Sequence, residues 1–85
     1  MSGIYEELAE RNSEALTADG LEDAYIGFTV GIRGCVAVYD VDKCIDVLVK
    51  RDGMDPEGAE EFLEFNTFSA YVGENGPMYL RRVEK

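Results

Sequence analysis

The sequence predicts a single α+β domain over residues 1–85, with a small antiparallel sheet and helices packed on one face, in the order α-β-β-α-α-β. Three observations carry that prediction. Val41, Cys44, Ile45 and Leu48 recur at the i, i+3, i+4, i+7 spacing of one helical face. Asp52-Gly53 followed by Asp55-Pro56 ends one helix and opens another, because glycine takes the left-handed turn and proline fits a first helical position that needs no amide donor. Residues 24–30 and 35–39 are β-branched and aromatic runs separated by Gly31 and Gly34, the pattern of a hairpin. A folded monomer of this mass exposes roughly 5,000 Å² and buries about 60% of its unfolded surface, enough for one thin core and no enclosed active-site cavity.

The first helix is expected over residues 3–17, capped by Ser2, with Tyr5, Leu8, Ala15 and Leu16 along one side and Asn12 within it. Glu7 and Arg11 attract at i, i+4, whereas Glu6–Glu10 and Glu10–Glu14 repel, so this helix depends on the rest of the fold. In the hairpin, burying Ile26 and Phe28 sets the register, and Gly27 marks a bulge or a close approach of another group. A short helix over residues 21–28 is an alternative reading of the same stretch.

The second helix follows, capped by Asp40. The third is expected over residues 56–72, with Asp55 as its cap and Ala59, Phe62, Leu63, Asn66 and Ala70 as its core stripe. Glu57, Glu60, Glu61 and Glu64 form a second stripe on nearly the opposite side. Beyond Glu64, Phe65, Phe68, Tyr71 and Val72 take the glutamate directions, so this half is apolar nearly all round and needs a cover from the first helix or from another chain. A turn at residues 74–77 leads to a last strand over residues 78–83. Its basic end, Arg81, Arg82 and Lys85, is placed to approach the acidic stripe of its own chain or of a neighbour.

Charge narrows the function classes. Eighteen acids against eight bases, with no histidine, give a net charge of −10, which argues against binding nucleic acid or an anionic membrane through phosphates. No apolar run reaches the length of a membrane span, and residues 1–20 carry glutamates where a signal peptide needs bases and an apolar core, so a soluble intracellular protein is expected. Cys35 and Cys44 lie on different elements without a C-x-x-C pattern and read as reduced thiols, a disulfide between them remaining an alternative. Asp40, Asp42, Asp52, Asp55 and Glu57 supply oxygen atoms but match no calcium loop, and no histidine supports catalysis. No metal, cofactor or enzymatic activity is expected.

Two sets of surface residues remain. Glu57, Glu60, Glu61 and Glu64, with Phe65, Phe68 and Tyr71, are candidates for binding a partner with a basic surface. The like charges at Glu57–Glu61 and Glu60–Glu64 cost a few tenths of a kcal/mol each, a repulsion that a cationic partner relieves. The bland reading is a solvated face that keeps a small protein soluble, and adaptation to a salt-rich host is a second origin for the same acidity. Asn66, Tyr39, Arg81 and Arg82, with Tyr71 and Asn12 nearby, are candidates for a polar pocket, of a kind suited to a phosphate-bearing ligand if an oligomer completes it.

The run AYIGF, then AVYD-x-x-KCI, RDGM, EFN and AYVGE-x-x-P resembles a group of small proteins of bacteriophages, prophages and archaeal viruses over roughly residues 23–80. That resemblance implies a virus-associated accessory role and carries no catalytic residues with it. The leading expectation is a non-enzymatic accessory protein of the host-cell cytoplasm that binds a host or viral protein, such as a component of host defence. An oligomeric nucleotide-type binder and a virion assembly component, self-associating through the end of the third helix, are the alternatives.

Overall fold

Local signals are strongest where Asp40 meets Val41. The computed structural model, which describes residues 3–32 and 34–83, places strand β2 at Ala37–Asp40 and helix α2 at Val41–Asp52 directly after it. The Asp40 carboxylate accepts a hydrogen bond from the Lys43 amide at 3.1 Å, and Gly53 closes the helix with a φ of 72°. Val41, Cys44 and Leu48 are buried with Ile45 half-buried beside them, the stripe that the spacing predicts. Helix α3 spans Pro56–Leu63 and buries Ala59 and Leu63; Asp55 has the extended backbone of an N-cap, but its carboxylate bonds no amide.

The remaining elements are helix α1 at Glu6–Arg11 and strands β1 at Tyr25–Phe28 and β3 at Met78–Leu80, so the α-β-β-α-α-β order holds. A single 3₁₀ turn at Glu22–Ala24 precedes β1, which settles that stretch as strand rather than helix. The sheet itself is mixed, not antiparallel. Central β2 pairs antiparallel with β1 but parallel with β3, because α2 and α3 both lie in the connection and return the chain to the end where β2 began. Leu8, Cys44, Leu48, Ala59 and Leu63 from the three helices join Ala37 and Tyr39 in one core. On the opposite sheet face Met78 and Leu80 are exposed and Val38 is half-buried.

Gly27 resolves as a bulge. Its φ of 153° is open to glycine alone, nothing lies within 4 Å of where a Cβ would be, and the register shifts between Tyr25 and Gly27. The extra residue, Ile26, breaks the expected alternation: Tyr25 opposite Tyr39 and Phe28 opposite Ala37 share the core face, so Phe28 packs there and Ile26 does not. The hairpin loop is closed by Thr29, whose amide donates to the Val36 carbonyl at 2.9 Å and whose hydroxyl accepts from the Val36 amide at 3.0 Å.

α1 is shorter than its pattern because Asn12 ends it. The Asn12 amide nitrogen donates to the Cys35 carbonyl at 2.8 Å and to the Asn75 side chain at 2.9 Å, while its oxygen accepts from the Glu14 amide at 3.1 Å. A side chain so engaged competes with helix continuation. The expected cap Ser2 and the base Lys85 lie outside the described residues. Because Asn12 ties α1 to the hairpin and to the turn before β3, Asn12→Ala should cost about 1–3 kcal/mol. Thermal unfolding should register this as a fall of roughly 4–8 °C per kcal/mol for a domain of this size.

Candidate functional site

On α3, Ala59 and Leu63 face the core, which points Glu57, Glu61, Glu64 and Phe65 outward on the opposite side. All four are exposed, Phe65 to 78%, and none of these glutamates forms an ion pair among the described residues. Glu60, on the flank, differs. It receives the Arg81 guanidinium at 2.7 Å, and the same guanidinium reaches Asp42 on α2 at 3.2 Å. The acidic stripe therefore divides into one residue engaged within the fold and three facing solvent.

Beyond Leu63 the chain widens into a π turn at Glu64–Phe68. With bonds running i→i+5, the next inward position after Leu63 is Phe68 rather than Asn66 or Thr67. Phe68 packs against Tyr79, ring centroids 4.8 Å apart, which removes it from the exposed candidates. The expected core stripe fails at this point. Asn66 is exposed and donates back to the Phe62 carbonyl at 2.9 Å, Ala70 is exposed, and Phe62 is about half exposed beside Phe65. Helix α3 does not extend to Val72.

The four polar-pocket candidates do not converge. Tyr39 is fully buried, and its hydroxyl is engaged by the Tyr5 hydroxyl and the Ala18 amide, each at 2.8 Å. Arg81 makes the bridge just described. Arg82 reaches Asp40 at 2.8 Å, covering a carboxylate whose side chain is only 5% exposed and stitching the end of β3 to the start of α2. Asn66 lines a separate shallow hollow of about 350 Å³ with Leu16, Thr17 and Tyr79. The expected approach of the basic tail to the acidic stripe is made within the chain.

Tyr5, Tyr25, Tyr39 and Tyr79 pack in sequence across the sheet, with centroids 4.6, 5.6 and 5.8 Å apart, the first two pairs tilted and the last stacked. Burial, followed by the nearby Cys44 thiol, pushes the Tyr79 hydroxyl up to about 12; burial and the Tyr39 hydrogen bond push Tyr5 up further. The folded chain thus holds these protons where the unfolded chain, with ordinary tyrosines near 10, releases them. Their contribution to stability is complete below pH 10 and declines as pH rises toward 12. Alkaline titration should show the tyrosinate absorbance of Tyr5 and Tyr79 appearing together with the loss of helical circular dichroism.

Both cysteines are free, and the buried Cys44 thiol is raised to about 11 by burial and then by Asp40, which leaves it protonated and unreactive at neutral pH. Among the described residues no group of three acidic or cysteine side chains converges as ion ligands do, and no helix is long and apolar enough to cross a membrane.

Tyr71 lies apart from the α3 face. It is 83% exposed and, with Val72 and Met78, forms one side of an open groove of about 960 Å³; Val30, Ile32 and Gly34 of the hairpin loop form the other. The expected contact patch of Phe65, Phe68 and Tyr71 is thereby dispersed into an outer-face residue, a residue half-buried against the core and a groove residue. Sequence reasoning missed Val30, Ile32 and Met78 as surface features. The available signal was Ile32, a large apolar side chain in a glycine-bounded turn where no strand or helix can bury it. Comparison with protein-family models, curated proteins and solved structures yields no match for this chain.

Proposed function

We propose that this chain is a small, non-enzymatic, virus-borne accessory protein that acts in the host-cell cytoplasm by holding a protein partner against the outer face of α3. The partner presents basic residues to Glu57, Glu61 and Glu64 and an apolar hollow to Phe65. One observation carries the reading: an aromatic side chain stands 78% exposed among three carboxylates that form no ion pair among the described residues. Aromatic anchors in such settings contribute most of the affinity of an interface, while surrounding charges steer approach and select partners by sign. The resemblance of residues 23–80 to small phage and archaeal-virus proteins supports an accessory role, and inhibition of a host defence component is the form we propose for it.

The test is affinity capture from infected and uninfected host lysates, with wild type beside a variant carrying E57Q, E61Q and E64Q and a second carrying Phe65→Ser. Glu60 is left in place, because removing it would also release Arg81. The reading expects a protein with a basic surface retained by wild type and lost by both variants. Retention of the same proteins by all three chains would refute it.

A further inference from the structure

The groove beside Tyr71 is a second surface, and its chemistry differs from that of the α3 face. Val30, Ile32, Tyr71, Val72 and Met78 are all more than half exposed, Ile32 completely so. Glu74 is the only charged side chain among the described residues that line the groove, on a chain of net charge −10. Met78 belongs also to the open face of the sheet, where Leu80 is exposed, so the apolar surface continues beyond the groove. A standard interface covers about 800 Å² on each partner, more than the groove alone offers, so a contact here takes in the exposed sheet residues Met78 and Leu80 as well.

We infer that a second copy of this chain docks on this surface, with Ile32 at the hairpin tip of each copy seated in the groove of the other between Tyr71 and Met78. A projecting apolar tip beside an apolar groove is self-complementary under a two-fold axis, the commonest oligomer symmetry. The charge distribution favours the same occupant: two chains of net charge −10 repel over most of their surfaces, and here they meet almost without like-charge contact. The pairing does not depend on the α3 reading. It leaves Glu57, Glu61, Glu64 and Phe65 outside the contact and displays them twice, which raises the avidity for a repeated partner.

Sedimentation equilibrium of the full chain decides the matter, run up to roughly 200 µM, above the micromolar limit typical of interfaces this size. Wild type should rise from 9.5 kDa toward twice that mass, and more readily at high salt, which screens the repulsion between acidic copies. Ile32→Glu, a change at a fully exposed position that leaves the core untouched, should abolish the rise, since each dimer carries it twice. Phe65→Ser should dimerise as wild type does. A wild-type mass fixed at 9.5 kDa would overturn the inference and assign the groove to a different partner. An Ile32→Glu chain that dimerises normally, or a Phe65→Ser chain that fails to, would overturn it as well.

Discussion

Tyr39→Ala should remove about 3–5 kcal/mol of stability, the usual cost of deleting a buried aromatic side chain. An 85-residue domain holds only roughly 4–13 kcal/mol in total, so this one change should remove about a quarter of the stability or more. The ring lies between Tyr25 and Tyr79 on the central strand, and its hydroxyl ties the Tyr5 side chain and the Ala18 backbone to the sheet. Tyr39→Phe separates the two contributions. It keeps the stack but leaves the Ala18 amide without its acceptor, and should cost about 1–3 kcal/mol. Urea unfolding of the three chains checks both figures. A Tyr39→Ala midpoint near wild type would mean that the tyrosine stack does not hold the helices and sheet together.

The second large effect is on binding. Phe65→Ser should weaken the proposed partner roughly 30-fold, the consequence of losing one anchor of about 2 kcal/mol. Replacing Glu57, Glu61 and Glu64 with glutamine should cost roughly tenfold, since exposed charges contribute only about 0.2–1 kcal/mol each. The glutamate effect should fall mainly on the association rate and the Phe65 effect on the dissociation rate. Neither change should lower the melting temperature appreciably, because these side chains are exposed and the glutamates repel one another.

What the sequence made legible was local. Helix α2 carries its start, its stop and its buried stripe within residues 40–53, and each is where the residue types require it. Gly27 marks its bulge, and of the arginines after β3 Arg81 reaches the expected stripe at Glu60, whereas Arg82 pairs with Asp40 outside it. The failures have distant or collective causes. α1 stops at Asn12 because its partners Cys35 and Asn75 are 23 and 63 residues away, a bond that no local pattern reveals. The parallel pairing of β3 follows from the path of two helices, not from the composition of the strand. One π turn shifts the whole end of α3, turning Phe68 partly into the core and exposing Asn66 where a period of 3.6 places them the other way. The candidate site was accordingly half visible: the glutamates and Phe65 were legible, while the separation of Tyr71 into the hairpin groove was not.

The most direct measurement is the affinity of the captured partner for wild type and for the E57Q, E61Q, E64Q chain, each at low and at physiological salt. The outer-face account predicts that wild type binds more tightly at low salt and that the variant binds more weakly, with its salt dependence largely gone. Equal affinities with equal salt slopes would contradict it, and would leave the three carboxylates as a solubilising surface.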